Sequence, residues 1–435
     1  MTALDVIVRR IHERGPLTVA DFMSIALHHP EHGYYATAAR RTGRNGDFFT
    51  SVDVGPMFGA LLARQFAEMW RFLRDPRSAI PHPRSAIRDP RSALRSPESA
   101  IRDSQAVIHD AAGGQRTAES RGRNAESGEA FDLVEAAASD GQLARDVLDW
   151  AQVNDPDFYR AIRLRLVESS PAARAAQAEV LAPHAEKFAG SGARLPDVVH
   201  GVIFANELLD ALPVHSVVMT AQGLREHYID VGPGGRLLER VGRPSSDALE
   251  HYLATAGVRL EPGWRAEINL AALAWIARAA RALRRGFLLL IDYGHEAHEL
   301  YSATHAAGTL TTFHRHVTGQ GGAPGKTVPA TPPWLVDPGG RDITSHVDLT
   351  GVARAASERG CTTLGILDQT YFLLALGLPD LAAGDGPSLA ETRRRLALKT
   401  LIMPGGLGST HKVMVFGKDV EAAPLQGLSG MRRLT

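Results

Sequence analysis

The chain of 435 residues contains a single cysteine, Cys361. One cysteine excludes intramolecular disulfide bonds and every metal site that is built on several thiolates. The 18 histidines show no His-Glu-x-x-His or comparable spacing, so we expect no metal site. Cys361 begins a Cys-Thr-Thr-Leu-Gly-Ile run that is typical of a strand, and we expect its thiol to be a small buried group rather than a chemical one.

The sequence also lacks net charge and long apolar runs. Its 48 Lys and Arg residues balance its 48 Asp and Glu residues, which argues against nucleic acid as a partner. Apolar runs such as Phe287–Ile291 are far shorter than the roughly 20 residues that a membrane-spanning helix requires. Charged residues between Arg9 and Arg14 fall where a signal peptide would need its apolar core. We therefore expect no membrane span and a cytoplasmic location.

A heptad-spaced repeat dominates residues 75–128. It begins DPRSAI at Asp75 and continues as PHPRSAI, RDPRSAL and RSPESAI, with proline at positions 76, 83, 90 and 97. One apolar residue per heptad gives no coiled-coil seam, and the prolines break helical hydrogen bonding. The pattern predicts a disordered, low-complexity insertion. A basic binding arm is the alternative, because arginine recurs throughout.

The rest of the chain has an α/β pattern. A Thr-Val-Ala-Asp capping box at Thr18 predicts a short helix, and apolar spacing predicts a second helix over 57–73, so residues 1–74 are expected to form an N-terminal helical cap. Strands and helices then alternate, which predicts a mostly parallel sheet with helices on both faces. The predicted strands are 131–135, 162–168, 198–205 and 287–292, and the predicted helices are 143–151, 171–184 and 265–284.

Two segments depart from this alternation. Residues 214–219 and 224–231 resemble a hairpin around Gln222 and Gly223, and the chain closes with a predicted strand near 412–416. Both features indicate an antiparallel addition at a sheet edge.

Ligands of doubly wound sheets bind beyond the carboxyl ends of the strands. After the first strand comes Glu135-Ala-Ala-Ala-Ser-Asp-Gly141, whose small residues would let a ligand approach the backbone and the following helix N-terminus. An ordinary strand-to-helix turn would look similar. Glu168 ends the second strand, where a carboxylate can accept hydrogen bonds from ribose hydroxyls. Alternatively, Glu168 is a solvated strand end beside Ser170, a helix cap.

The third strand runs into Asn206-Glu207-Leu208-Leu209-Asp210. Its two carboxylates and amide would face the same cleft as Glu168, where they could hold a cationic substrate or a sulfonium cofactor. A helix cap with a surface charge is the simpler interpretation.

The chain resembles the MidA-like S-adenosylmethionine-dependent methyltransferases, a family that includes the NDUFAF-type arginine methyltransferase of mitochondrial complex I assembly. The resemblance covers nearly everything outside residues 75–128. It is carried by GPLTVADFMSIALHHPEHGYY from Gly15, GDFFTS from Gly46, LVESSP from Leu166, NELLDALPVH from Asn206, LLIDYGH from Leu289, GTLTTFHRH from Gly308 and GGRDITSHVDL from Gly339.

The resemblance implies a class I, Rossmann-like methyltransferase over residues 129–420, with a C-terminal tail at 421–435. It implies S-adenosylmethionine as cofactor and the side chain of a protein arginine as methyl acceptor, with a respiratory complex I subunit as a candidate partner and a homodimer as a candidate assembly. A guanidinium is a poor nucleophile until a carboxylate orients it and offsets its charge, and we assign this catalytic role to Glu207, with Asp210 second. The implied cofactor-binding residues are Asp47, Glu135, Ala137, Ser139, Gly141, Glu168 and Asn206.

Ala137 and Ser139 stand where the family has glycines. If those positions require positive φ, a β-carbon there costs about 1 kcal/mol or more and crowds the adenosine side of the pocket. We expect weakened cofactor binding. The alternative is a scaffold or assembly factor that has lost turnover. A dehydrogenase is the other enzymatic alternative, but no Gly-x-Gly-x-x-Gly turn follows the first strand.

Overall fold

The computed structural model describes residues 1–37, 51–75, 130–314, 317–320, 331–382, 398–399, 401, 410–420 and 423–433. The prediction of a disordered insertion over 75–128 therefore lies outside the described residues, except for Asp75. Asp47 and the rest of its GDFFTS motif up to Thr50 lie outside them as well.

The largest sheet contains the predicted α/β alternation. Its strand order is β15-β16-β10-β5-β2-β3-β4, and a short strand, β14, also pairs with β10. In this order, the neighbouring strands β10, β5, β2, β3 and β4 pair in parallel. Strand β16 lies between β10 and β15 and is antiparallel to both. The strands are β2 (Phe131–Ala136), β3 (Ile162–Val167), β4 (Phe188–Gly192), β5 (Val199–Asn206), β10 (Leu283–His295), β14 (Val347–Asp348), β15 (Thr362–Asp368) and β16 (His411–Lys418).

The register of this sheet aligns the carboxyl ends of its parallel strands. Ala136 lies opposite both Val167 and Ala205, and Asn206 lies opposite Ile291. The residues that follow β2, β3 and β5 therefore meet at one edge, as expected for a ligand site in a parallel sheet.

Two smaller sheets flank this edge. The predicted hairpin exists as β6 paired with β7, but it belongs to a separate sheet of order β1-β7-β6-β9, in which β8 also pairs with β7. A third sheet has the order β12-β11-β13. These strands are β1 (Leu17–Thr18), β6 (His215–Thr220), β7 (Gly223–Val231), β8 (Leu237–Gly242), β9 (Arg265–Ile268), β11 (Thr311–His314), β12 (Val317–Gln320) and β13 (Asp342–Thr344).

Helices cover both faces of the large sheet. Longer helices are α1 (Ala3–Arg14), α2 (Val19–His28), α4 (Met57–Arg74), α5 (Gln142–Asn154), α7 (Pro171–Val180), α8 (Ala248–Ala256), α9 (Leu270–Ala282) and α11 (Leu349–Ser357). Shorter helices are α3 (Tyr34–Thr37), α6 (Pro156–Ala161), α10 (Ala297–Leu300), α12 (Gln369–Ala375) and α13 (Leu378–Ala382). No helix among these residues is long and apolar enough to cross a membrane.

The prediction of one helix over 265–284 is wrong at both ends. Arg265–Ile268 forms β9, which pairs with β6, and Leu283 already belongs to β10. Asn269 begins α9 between them, because its side-chain oxygen accepts a hydrogen bond from the Ala272 amide at 2.8 Å. Tertiary pairing overrode the helical pattern of the first residues.

The predicted helix over 171–184 is also shorter than expected. Helix α7 ends at Val180, and Ala182–His184 forms a separate 3₁₀ turn. Pro183 lies in that turn, and a proline cannot donate the backbone hydrogen bond that would continue α7.

The core has a layer on each face of the large sheet. Phe204 of β5 faces the layer that contains α4 and α5, whereas its neighbour Ile203 faces the layer that contains α9 and α11. Helix α2, the first helix that the sequence predicts, packs instead with α1, β1 and β7 in a third cluster. Both faces of the central strands are thus buried, which is typical of a parallel sheet.

Candidate cofactor and substrate site

The loop after β2 holds the backbone conformations that the sequence left conditional. Ala137 has φ 56°, Ser139 has φ 48° and Gly141 has φ 87°. Each lies in the left-handed region, which costs a residue other than glycine about 1–2 kcal/mol. Gly141 immediately precedes α5, so the amides of the first helical turn point toward this loop.

Glu168 holds the same loop from the neighbouring strand. Its carboxylate accepts hydrogen bonds from the amide of Ser139 at 2.9 Å and from the amide of Ser170 at 2.7 Å. Ser170 also caps α7, since its hydroxyl accepts from the Ala173 amide at 3.3 Å. The cap and the loop contact coexist, as the two interpretations of this segment allowed. Gln177 donates to the Ser139 carbonyl at 2.7 Å and completes the connection.

Glu135 lies beneath this loop, at the end of β2. It is 4% exposed, and its Oε2 has no hydrogen-bond partner among the described residues. Burial raises the pKa of Glu135 well above its usual range, and Asp140, Asp146 and Glu168 raise it further. A buried acceptor without a donor is costly in a protein that binds nothing there.

Asn206 and Glu207 follow β5 at the adjacent strand end. Glu207 has φ 52°, and its amide donates to the Ile291 carbonyl at 2.8 Å. Its Oε1 accepts from the Asn206 amide group at 3.0 Å and lies 3.6 Å from Nε2 of His411, on β16. The Glu207 side chain is 13% exposed, so this carboxylate can reach a ligand in the cleft.

Asp210 belongs to a buried group of carboxylates that the sequence did not predict as one site. Its neighbours are Glu207, Asp292 at the end of β10 and Asp342 of β13. Burial raises the pKa of Asp210 to about 7, although a hydrogen bond from Tyr293 opposes the rise. Burial likewise raises the pKa of Asp292 well above its usual range, and the charge of Asp210 adds to that rise.

Two tyrosines line this carboxylate group. The hydroxyl of Tyr35 donates to Asp342 at 2.8 Å, and the charge of Asp210 acts on the hydroxyl of Tyr293. Burial raises the pKa of both hydroxyls well above the usual range, so both remain protonated donors. Four carboxyl groups therefore lie close together beside hydroxyl and amide donors, and ionised carboxylates in such a place favour a cation.

The unpartnered atoms fit the cofactor that the resemblance implies. Glu135 Oε2, Asn206 Oδ1 and Asp210 Oδ1 are buried acceptors without a donor among the described residues. S-adenosylmethionine brings an ammonium group, ribose hydroxyls and a positively charged sulfonium. Donors and positive charge are what these atoms lack.

Sequence reasoning missed Tyr35, Asp292, Tyr293, Asp342 and His411 as site residues. The first four stand inside the motifs GPLTVADFMSIALHHPEHGYY, LLIDYGH and GGRDITSHVDL, so their signal was present but had no assigned role. His411 had no signal, because β16 enters the sheet from the far end of the chain.

Residues 115–367, more than half of the chain, match the profile of a family described as S-adenosyl-L-methionine-dependent methyltransferases. Curated relatives carry a more specific name. The chain is 27% identical over 394 residues to the human mitochondrial protein arginine methyltransferase NDUFAF7, covering 85% of this chain and 72% of that protein. It is 26% identical over 454 residues to the Drosophila melanogaster homologue, covering 96% and 85% respectively.

A solved structure shares the fold. A Burkholderia thailandensis protein crystallised with S-adenosyl-homocysteine superposes with a TM-score of 0.76 at 24% sequence identity. The match covers 98% of this chain and 94% of that one. The strand order and the structural match agree on a methyltransferase-type α/β fold.

Proposed function

The chain belongs to the S-adenosyl-L-methionine-dependent methyltransferase family, and from that premise we propose that it methylates a guanidinium nitrogen of an arginine in a protein substrate. The observation that carries the proposal is a cluster of four carboxyl side chains at the edge of the sheet where the carboxyl ends of the parallel strands meet. Its members are Glu207, Asp210, Asp292 and Asp342. Relatives named as protein arginine methyltransferases support the same acceptor.

The cofactor half of the site is assigned to the loop after β2 and to the end of β3. In this proposal Glu168 accepts from the ribose hydroxyls, and Glu135 and Asn206 offer acceptors to the ammonium group. Ala137, Ser139 and Gly141 bring backbone against the adenosine. Asp47 keeps its assigned place in the cofactor site as a prediction from sequence.

The substrate half is assigned to Glu207 and Asp210. When bound, the cofactor supplies an electrophilic methyl group on its sulfonium. A guanidinium is a cation and a poor nucleophile, so the chain must offset its charge and direct one nitrogen toward that methyl group. In this proposal Glu207 holds the reacting nitrogen and takes the proton that this nitrogen gives up, and Asp210 offsets the remaining charge.

The second candidate function is a methyltransferase-fold scaffold or assembly factor. Ala137 and Ser139 favour it, since they stand where the family has glycines and their β-carbons would crowd the adenosine. A respiratory complex I subunit as partner, a homodimer and a cytoplasmic location stay predictions from sequence, and the curated relatives are named as mitochondrial proteins.

Two variants separate the two halves of the site. Glu168→Ala removes a charged acceptor worth roughly 1.5–3 kcal/mol, so calorimetry should show S-adenosylmethionine affinity about tenfold or more weaker. Glu207→Gln should abolish transfer to arginine-containing peptides while cofactor affinity stays unchanged. Glu179→Ala, at an exposed position of α7, is the matched control for both measurements.

Comparing arginine peptides with matched lysine peptides identifies the residue that accepts the methyl group. Peptides with lysine in place of each arginine should receive no methyl group, as measured by peptide mass and S-adenosylhomocysteine release. Transfer to the lysine peptides, or unimpaired transfer by Glu207→Gln, would contradict the assignment. Cofactor binding without transfer to either set would favour the scaffold.

A further inference from the structure

Three histidines meet beside the cluster of four carboxyl side chains, and the proposed methyl transfer uses none of them. His295 ends β10, His305 ends a 3₁₀ turn after α10, and His346 directly precedes β14. One ring nitrogen of each lies within 4.8 Å of the corresponding nitrogens of the other two. The three ring centroids are 4.7, 5.2 and 5.8 Å apart.

Backbone pairing holds the three rings on fixed elements. His295 pairs in register with Asp348, which places the residues around His346 beside the end of β10. The amide of His346 donates to the hydroxyl of Thr309 at 3.1 Å. The turn that carries His305 is anchored by the Arg265 amide, which donates to the Ala306 carbonyl at 2.9 Å. Ligands on rigid elements are the arrangement that metal sites need.

Glu299 orients two of the rings. Its carboxylate lies 3.0 Å from Nδ1 of His295, and its backbone carbonyl lies 3.1 Å from Nδ1 of His305. A carboxylate or carbonyl on one imidazole nitrogen is the usual support for a metal-bound histidine, because it sets the tautomer and frees Nε2. Nδ1 of His346 is buried and has no hydrogen-bond partner among the described residues.

We propose that His295, His305 and His346 bind one divalent transition-metal ion, with Zn²⁺ as the preferred occupant. Three imidazoles without a thiolate suit a borderline cation such as Zn²⁺ and do not suit Mg²⁺ or Ca²⁺, which take oxygen ligands. Bonds of about 2.1 Å in a tetrahedral site set ligand nitrogens about 3.4 Å apart. Small ring rotations reach that spacing from the present one, and water takes the fourth position.

The bound ion has a structural consequence for the carboxylate group. The ring of His346 meets that of Tyr293 edge to face, with centroids 5.6 Å apart, and the charge of Asp210 acts on the Tyr293 hydroxyl. The ion would join the end of β10, the turn after α10 and the segment before β14. The ion would therefore stabilise the segments that pack against Tyr293, and it would lie outside the methyl-transfer site.

The experiment uses the full chain, freed of any polyhistidine tag and treated with chelator. Calorimetric titration with Zn²⁺ should show one equivalent bound, and Co²⁺ should give the intense visible absorption of a tetrahedral site. His305→Ala and His346→Ala should each weaken Zn²⁺ binding about 100-fold or more, and Glu299→Ala about tenfold, because it removes the orienting carboxylate. His298→Ala is the matched control, since His298 lies on the same segment with 78% of its side chain exposed.

Circular dichroism checks that each variant is folded. If His346→Ala does not fold, His305→Ala decides the matter, because His305 is only partly buried. No stoichiometric Zn²⁺ binding by the folded parent chain would overturn the proposal. Equal losses in His298→Ala and His305→Ala would do the same. These readouts do not depend on methyl transfer, so failure of the arginine assignment leaves them interpretable.

Discussion

At the residue scale, three side chains of the site sit on backbone that glycine would adopt more easily. Ala137, Ser139 and Glu207 have φ of 56°, 48° and 52°. Strain of this kind persists where surrounding contacts over-determine it, and it clusters at functional sites. For Ser139 the contacts are visible, since Glu168 holds its amide and Gln177 holds its carbonyl.

Restoring glycine at 137 and 139 should tighten S-adenosylmethionine binding. Glycine removes two β-carbons that would crowd the adenosine. It also removes about 1–2 kcal/mol of strain per residue, which is present without cofactor and therefore bears on stability. Added glycine also raises unfolded-state entropy by roughly 0.4–1 kcal/mol per site, so the net change in unfolding free energy is small. Calorimetry for affinity and urea unfolding for stability must therefore be run separately on the double variant.

Ala138→Gly is the matched control for that prediction. Ala138 lies between the two strained positions, but it is not among the residues with positive φ. Its replacement should lower stability without a gain in affinity. Equal affinities for the double variant and the parent chain would show that strain in this loop does not limit binding.

Asp210→Asn should stabilise the protein most at high pH. The folded-state pKa of Asp210 is raised to about 7 by burial, so the folded chain retains a proton that the unfolded chain has lost between about pH 4 and 7. That contribution to stability is present below about pH 4 and is lost as pH rises through about 7. Asparagine keeps the neutral form at every pH.

The check is urea unfolding of both chains at about pH 5 and about pH 8. We expect the advantage of Asp210→Asn over the parent chain to grow by about 1–3 kcal/mol between the lower and the higher pH, because about 1.4 kcal/mol accrues per pH unit until the folded-state pKa is passed. A gain independent of pH would show that Asp210 does not titrate in this range. Methyl transfer should fall in the same variant, because the charge beside the guanidinium is lost.

At the element scale, α4 and α5 approach each other through Gly59. A β-carbon on Gly59 would lie 2.5 Å from Cβ of Asp146 and 3.1 Å from its backbone carbonyl carbon. The two helices pack on the same face of the large sheet as Phe204. Since α5 begins directly after the cofactor loop, this contact also positions the helix N-terminus at the site.

Gly59→Ala should therefore destabilise the protein by about 1–3 kcal/mol through overpacking. Alanine is the better helix former by about 1 kcal/mol, so propensity alone predicts the opposite sign. Urea unfolding decides between the two effects. Gly59→Ser serves as a graded test, because its larger side chain should cost more than alanine does.

At the scale of the whole molecule, the described elements on either side of the repeat segment pack on one aromatic ring. The ring of Trp70, near the end of α4, is 5.7 Å from that of Phe158, and Phe131, which begins β2, is also 5.7 Å from Phe158. We propose that the chain consists of a cap at 1–74, an insertion at 75–128, a methyltransferase domain at 129–420 and a tail at 421–435. The described residues on both sides of the insertion belong to one compact unit.

Replacing residues 76–128 by a short glycine-serine linker should leave the fold and the cofactor affinity unchanged. Asp75 is kept, because its amide caps α4 by donating to the Arg71 carbonyl at 3.0 Å. A linker has only to join α4 and β2, whose residues Trp70 and Phe131 both pack on Phe158. Low-complexity inserts bury little apolar area. An insoluble product, or a loss of cofactor binding in a folded one, would contradict the prediction.

The sequence by itself determined the α/β class and the strands β2, β3 and β5. It also determined that Glu135, Glu168 and Glu207 lie at the carboxyl ends of these strands. Apolar runs and turn residues are local signals, and the carboxyl ends of parallel strands share one edge, so local order was enough. The sequence left the left-handed φ of Ala137 and Ser139 as a condition, and the structure decided it.

Only the tertiary structure decided the rest. Pairing with β6 turned Arg265–Ile268 into a strand against its helical pattern. Asp292, Asp342 and His411 joined Asp210 because β10, β13 and β16 come from distant parts of the chain. The three histidines met for the same reason. Such contacts depend on which strands pair and in what register, and no local pattern in the sequence encodes that choice.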